Sequence, residues 1–433
     1  MVTESPQSNR ASSWWALGVL FLANIFNQGD RILFGTVVDP IGRDLAISDT
    51  QMSLASGFLF VLFNLVGGLF IARFVDRGNR VRILAIGVAG WSLATAATGL
   101  ATDFATLSLA RIAVGIGEAT AFPAAMSLIP DLFNKETRGR AVGIFQASSF
   151  VGIVGGTIIG GVLAAALGWR DMFVVCGLAG LSVTFLLLFS VREPERTGDD
   201  AALAPPTTYW ADLWAGCARV LRLDGFPFLL CGFGMGMMMT FVLAAWGPAF
   251  LLRSHDVPLA QVGLVIGPAV GLGGITGTLA SGFFADRLMA RRGRPSDMLK
   301  IAMICVPLSL PFMAGFVFLP SLAAAMASAG IMNFLLSAAV PPVINFAINS
   351  VSSRDRGIVS TILLAASGLI GGALGPFVVG ALSDYFTPQF GQDGLRMAIS
   401  SMLATPLLAA LFLILAYRRS VGGEAAREAT YEA

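Results

Sequence analysis

"ARIAVGIGEATAF", residues 110–122, carries an arginine and a glutamate inside a stretch otherwise composed for lipid. Charged side chains within a bilayer are costly and usually mark the place where a membrane protein does its work. Arg111 and Glu118 lie seven residues apart, close to two helical turns. A continuous helix therefore presents both on one face, ~10 Å apart along its axis. They are either a static structural pair or the working parts of the molecule.

Composition supplies the lipid. Of 433 residues, 56% are hydrophobic and 12% charged, against ~25% charged in a soluble domain. Mean hydropathy is +0.78. Apolar runs of ~20 residues, enough for a helix to cross a ~30 Å hydrocarbon core, recur along the chain. The 50 glycines suit helices whose backbones pack closely in lipid. Strands are excluded, because an open sheet leaves backbone groups unsatisfied in lipid and barrel strands would show ~10-residue alternation. The net charge of +2 is no sign of nucleic-acid binding. Cys176, Cys217, Cys231 and Cys305 have neither metal nor disulfide spacing and read as small hydrophobes. The segment opening at Trp14-Trp15 reads as a first span rather than a signal peptide.

Twelve apolar windows follow, at about 14–38, 51–74, 82–101, 105–128, 139–166, 170–191, 226–252, 260–285, 298–318, 321–350, 357–382 and 395–417. The fold class expected is an all-α membrane protein of twelve transmembrane helices. Residues 1–191 form one six-helix bundle and 226–433 a second bundle with a cytoplasmic tail. The linker, 192–225, begins charged and proline-rich. It ends with Tyr209, Leu213, Trp214, Cys217, Val220 and Leu221 on one helical stripe, the pattern of a helix lying along the membrane surface.

Arginines and lysines crowd every second break: Arg77, Arg80 and Arg82; Lys135, Arg138 and Arg140; and so on to Arg418 and Arg419. The opposite breaks hold only Arg43, Arg170, Arg253 and Arg396. The positive-inside rule then places both termini in the cytoplasm of a multi-pass inner-membrane protein. The two halves also repeat. "FVDRGNRVR" is echoed by "FFADRLMARRGR", and Pro123 and Pro341 each precede an arginine, Arg138 and Arg356, by fifteen residues. Two such halves are built to rock about a site near the midplane.

Asp76-Arg77 with Arg80, and Asp286-Arg287, fall at matching cytoplasmic helix ends and, with Arg138 and Arg356, are candidates for a gate latched by charge. Anchoring at the headgroups is the plainer alternative. Only four charges lie well inside the spans, away from their ends: Asp30, Arg31, Arg111 and Glu118, all in the first half. Depth along the two helices lets Asp30 meet Arg111 at one level and leaves Glu118 deeper and less compensated. Asn24, Asn27, Gln28 and Arg31 make a polar stripe on the first span. Whether such a carboxyl holds its proton is governed by whether an arginine stands beside it, which is the physics of a proton carrier. Asp30 and Glu118 are therefore the candidate proton-coupling groups. Arg31 and Arg111 are candidates for binding a substrate anion or for ion pairing. Asn27, Gln146, Asn333 and Asn345 are weaker candidates for a substrate cavity, and Met235, Met237, Met238 and Met239 could form an adaptable wall. His255 receives no role.

No Walker loop, HExxH or nucleophile elbow occurs, so the chain reads as no enzyme, and its energy as drawn from a gradient. "RIAVGIGEA" and the two DR loops resemble the fourth-helix and loop motifs of the major facilitator superfamily over essentially all twelve spans. Within it, "NQGDR", "DRGNR", "WSLATAATGLA" and "GWRDMF" resemble bacterial Spinster-like members, while "GEATAFPAA" is also similar to the organic-anion:proton symporters. The Spinster resemblance implies proton coupling through the positions of Asp30, Arg111 and Glu118. Gly29 departs from the bulkier residue usual before that acid. Thr157 stands where the antiporter motif of the fifth helix has proline, so antiport is not implied. The function expected is proton-coupled transport of a small amphiphilic or organic anion (a lysolipid-like molecule, an aromatic acid or a sugar acid) by alternating access, without cofactor, by a monomer. A ligand sensor (transceptor) or scaffold of the same fold is the alternative from another class.

Overall fold

The computed structural model describes residues 10–196, 209–292, 295–352 and 355–432. These residues are helical nearly throughout and contain no strand. Among the described residues, ten helices are long and apolar enough to cross a membrane. The tenth, Arg356–Val421, is interrupted by the short turn Gly391–Asp393, after which the chain packs back on itself, and so provides two passes. The helix Arg10–Thr36 supplies the twelfth: its 27 residues make it ~40 Å long. In chain order the passes are α1 (Arg10–Thr36), α2 (Asp49–Arg77), α3 (Arg80–Thr98), α4 (Phe104–Leu132), α5 (Lys135–Leu167), α6 (Trp169–Ser190), α7 (Phe226–Ser254), α8 (Leu259–Arg292), α9 (Ser296–Phe318), α10 (Leu322–Asn349), α11 (356–390) and α12 (394–432).

The chain divides into two compact units, Met1–Leu203 with Val257–Gly267, and Ala204–Asp256 with Pro268–Ala433. The first turns of α8 join the first unit because glycine lets the backbones touch. A Cβ at Gly263 would stand 2.1 Å from the Thr157 carbonyl. Each unit has its own core, around Leu20, Val88, Trp91 and Leu128 in the first and around Leu229, Leu299, Phe346 and Leu413 in the second. Large apolar residues such as Phe74, Leu109, Phe189 and Leu279 are exposed, as they must be where the solvent is hydrocarbon. In the linker a helix spans Tyr209–Leu221. Its Val220 is buried, its Trp214 is exposed, and Arg219 pairs with Asp355 at 2.7 Å. The side chains of Tyr209 and Leu213 lie outside the described residues.

Several passes depart from the continuous windows predicted for them, the span 298–318 among them, which is interrupted at Ser309; two further breaks bear on the site. The span 105–128 is not continuous: one helix, Phe104–Glu118, ends at Glu118, and another, Ala121–Leu132, begins three residues later. The span 321–350 is likewise split into Leu322–Ala338 and Val340–Asn349. Proline explains both. Pro123 offers no N–H to the Ala119 carbonyl, nor do Pro341 and Pro342 to those of Ser337 and Ala338, and their rings crowd the preceding turn. The chain tightens instead, with the amide of Thr120 donating to the Gly117 carbonyl and that of Ala339 to Leu336.

Candidate functional site

Fourteen residues after the start of α1 at Arg10, its polar stripe begins and faces neighbours in the first unit rather than lipid. Asn24 donates to the hydroxyls of Ser148 and Ser149 at 2.7 and 2.9 Å, which ties α1 to α5. Asn27, also buried, donates to the main-chain carbonyl of Glu118 at 3.4 Å, beside the break of α4. One turn on, Arg31 donates from Nε to Oε2 of Glu118 at 2.6 Å. The Glu118 side chain is fully buried, and that of Arg31 is 37% exposed.

Asp30 points elsewhere. Its Oδ2 accepts from the hydroxyl of Thr95 on α3, and its Oδ1 has no partner. Arg111, fully buried, lies between the rings of Phe34 and Phe60, 5.0 Å from each centroid, with Nε and Nη1 unpartnered. Asp30 and Glu118 are both near enough to act on Arg111 electrostatically. The second carboxylate oxygen of Glu118, Oε1, is also without a partner. Two acids and two bases thus share a buried site containing one direct ion pair. Buried polar atoms are nearly always satisfied in a finished fold, so the cluster is poised to rearrange its partners.

This corrects the pairing expected from depth alone. The direct pair is Arg31–Glu118, not Asp30–Arg111, and Glu118 is the acid with an arginine on it. Successive residues on a helix point ~100° apart. When Asp30 turns to α3, Arg31 turns to α4, and the aromatic rings hold Arg111 by its face. Thr95, Phe34 and Phe60 were not singled out from the sequence, where nothing separates them from other small or aromatic residues in apolar helices.

At the far end of α3 is a second buried charge. Arg80, 1% exposed, pairs with Asp131 and with Glu193, the latter at 2.6 Å, and donates to the carbonyls of Ser127 and Pro194. Glu193 also accepts from the backbone amide of Val81 at 2.9 Å. Arg196 donates to the carbonyls of Val75, Asp76 and Gly78. Among the gate candidates, Arg80 is thus the buried one, Asp76 and Arg77 are exposed, and Arg138 donates to the Pro130 carbonyl at 3.0 Å. In the second unit Arg287 lies over the Phe283 ring at 4.7 Å and Arg356 is exposed. The side chain of Asp286 lies outside the described residues. Asp131 and Glu193 were missed, although both border arginine-rich breaks.

The cavity candidates do not converge. Asn27 belongs to the charge cluster, whereas Gln146 is exposed on α5. Asn333 is buried on the first segment of α10, where it donates to the Val270 carbonyl at 2.6 Å and leaves its own Oδ1 unpartnered. Asn345 is half-buried on the second segment of α10. Among the described residues no group of acids, histidines and cysteines could hold a metal ion.

The profile of the Major Facilitator Superfamily matches residues 20–376. An MFS-type efflux pump of Mycolicibacterium smegmatis is 30% identical over 95% of either chain. Spinster homolog 1 of Homo sapiens is 30% identical over 89% of this chain and 77% of its own length. A probable L-galactonate transporter of Escherichia coli is 28% identical over 67% of this chain and 65% of its own. The crystal structure of a bacterial homologue of the human lysosomal transporter Spinster, in an inward-facing and unoccupied conformation, superposes with a TM-score of 0.84. It is 26% identical and covers 96% of this chain and 98% of its own.

Proposed function

The chain belongs to the major facilitator superfamily, and from that premise we propose that it is a proton-coupled secondary transporter moving a small amphiphilic or organic anion by alternating access. That it is a membrane transporter and not an enzyme follows from the family. The proton coupling and the anion are the proposal.

The observation that carries it is the Arg31–Glu118 pair at the break of α4, its carboxylate buried, with Asp30 and Arg111, whose Nε and Nη1 lack partners, beside it. Discontinuous helices near the midplane are where such folds place substrate and coupling ions. A proton taken up by Glu118 cancels the charge that holds Arg31, and the freed guanidinium becomes available to a carboxylate or phosphate, which it suits by its planar fork. Loss of that proton restores the pair and competes the anion away. Asp30 has the same chemistry one residue along, held by a hydroxyl that it could exchange for Arg111.

Once the acids take up protons, the two arginines are left uncompensated and favour an anionic head over a cation. The sugar acid in the name of the Escherichia coli relative is of that class, and so is a lysolipid-like or aromatic acid. The half-buried Met235 and Met237 on α7 suit an apolar tail of variable shape. The arginine distribution supports an inner-membrane protein with both termini cytoplasmic.

The test is reconstitution in liposomes loaded with a pH dye, with pooled lysophospholipids and pooled aromatic and sugar acids added separately. A substrate-triggered pH change that disappears in Glu118→Gln is the expected result. The same change persisting in that variant removes Glu118 from the coupling.

A further inference from the structure

The helix in the linker, Tyr209–Leu221, is fastened to the ends of α7, α11 and α12 in the second unit. Arg219 pairs at 2.7 Å with Asp355, the residue before α11. Gly216 abuts the first turn of α11, where a Cβ on it would stand 2.1 Å from Cδ1 of Ile358. Past Leu221 the chain turns directly into α7, the amide of Leu223 donating to the Val220 carbonyl and that of Phe226 to Leu223. Gly225, left-handed at φ 83°, lets that turn touch α12: a Cβ there would lie 2.7 Å from the Ala416 carbonyl. α7, α11 and α12 are membrane passes, so the linker helix is held at the level where they leave the bilayer, on the arginine-rich side.

This docking uses only part of the apolar stripe read from the sequence. Gly216 and Val220 are buried and Cys217 is half-buried, whereas Trp214 is 72% and Leu221 44% exposed. Trp214 and Leu221 leave the helix within about 20° of each other and ~10 Å apart along its axis. Ala211 and Ala218 widen that exposed edge without adding a charge. Arg219 and Arg222, both exposed, follow on its far side. Around one helix there are thus a docked edge, an apolar edge and an arginine edge. That is the pattern of a helix lying in the membrane interface, with tryptophan at the level of the head groups.

We propose that the linker helix seats its Trp214–Leu221 edge in the leaflet on the arginine-rich side, and that Arg222 with Arg418 and Arg419 gathers anionic phospholipids there. Water is the poorer covering, since an indole and a leucine left in it forgo the gain of burial. A protein partner would have to reach an edge that the turn into α7 holds where lipid is already present. Arg418 and Arg419 are exposed on the stretch of α12 that Gly225 touches, and Arg419 lies over the Phe228 ring of α7 at 5.2 Å. Asp224, exposed in the same turn, is the acid set against them. A guanidinium suits a phosphodiester by its planar fork. Neither transport nor proton coupling enters.

The experiment is fluorine NMR of the purified full chain labelled with fluorotryptophan in lipid nanodiscs, the Trp214 signal being assigned by its absence in Trp214→Phe. Phosphatidylcholine and phosphatidylglycerol, each carrying a nitroxide high on the acyl chain, are compared at equal mole fraction with a water-soluble gadolinium chelate. The labelled lipids should broaden the Trp214 signal strongly and the chelate weakly. Labelled phosphatidylglycerol should act about fivefold more strongly than labelled phosphatidylcholine, the preference that one arginine near the surface supplies. Combining Arg222→Gln, Arg418→Gln and Arg419→Gln should remove that preference. Stronger broadening by the chelate means that the edge lies in water, and weak broadening by all three means that protein covers it; either overturns the proposal. Equal broadening by the two labelled lipids on the wild type overturns the part given to the arginines, whether or not the triple variant folds.

Discussion

α4 and α10 are broken at corresponding points of the repeat by the same kind of residue, and they hold different chemistry there. In α4 the first segment ends at Glu118, whose buried carboxylate is paired with Arg31. In α10 the first segment ends at Ala338, and the nearest buried polar side chain on it that lacks a full set of partners is the amide of Asn333. Proline sets the backbone device in both halves, whereas ionisable groups occur in one. A neutral amide can orient a ligand but cannot carry a proton. Under the proposed proton coupling, the carrier therefore belongs to the first half.

The largest expected effect follows directly. Glu118→Gln should bring gradient-driven uptake in liposomes down to that of protein-free vesicles. Asn333→Ala, which removes one hydrogen bond worth about 1 kcal/mol, should lower it only about fivefold. Abolition by Asn333→Ala as well would break the comparison.

Next comes the buried arginine. Arg80→Met removes the guanidinium that Asp131 and Glu193 share and should cost about 3–5 kcal/mol, read as a large drop in the thermal denaturation midpoint in detergent. Arg287→Met, in the corresponding loop of the second half at the position that matches Arg77, removes an exposed charge over a phenyl ring and should cost less than about 1 kcal/mol. Equal costs would mean that the second half carries a latch of the same kind.

A smaller effect tests packing. A Cβ at Gly277 would lie 2.1 Å from the Phe334 carbonyl, between α8 and α10. Gly277→Val should therefore destabilise by about 1–3 kcal/mol through overpacking. Gly155→Ala, in open space within α5, should be nearly neutral or slightly stabilising, since alanine favours the helix by ~1 kcal/mol. Denaturation midpoints of the two variants decide it.

The smallest concerns helix starts. Asp103 caps α4, accepting from the backbone amide of Thr106, and that hydrogen bond holds its carboxyl below the usual range. Ser321 at the start of α10 makes no side-chain cap. Because the folded value is the lower one, the cap's contribution is complete above the unfolded pKa of ~3.9 and is lost as pH falls through the folded value. Hydrogen exchange of the first turn of α4, corrected for its intrinsic rate, should lose protection below about pH 4, while α10 shows no such step. Asp103→Asn, still a good cap, should remove the pH dependence.

Much of the fold was legible in the sequence because lipid imposes a simple code. Segments of about twenty apolar residues mark helices, and the matched prolines and DR loops exposed the repeat. The breaks were less legible: the prolines were read as a mark of symmetry, although their missing N–H also interrupts α4 and α10. Within the site, the four charges stood out by rarity, while Thr95 and the aromatic pair around Arg111 did not. Asp131 and Glu193 remained unassigned because Arg80 reaches them across 51 and 113 residues of chain.

By itself, then, the sequence determined that this is a chain of membrane-crossing helices in two related halves, with the charges well inside its spans confined to the first. Hydropathy, proline and rarity of charge are local properties, and the bilayer reads them locally. Tertiary structure alone decided who meets whom: Arg31 with Glu118, Asp30 with Thr95, Arg80 with Asp131 and Glu193. A helix fixes the angle at which each side chain leaves it, but which neighbour stands at that angle depends on helices packed together from distant parts of the chain.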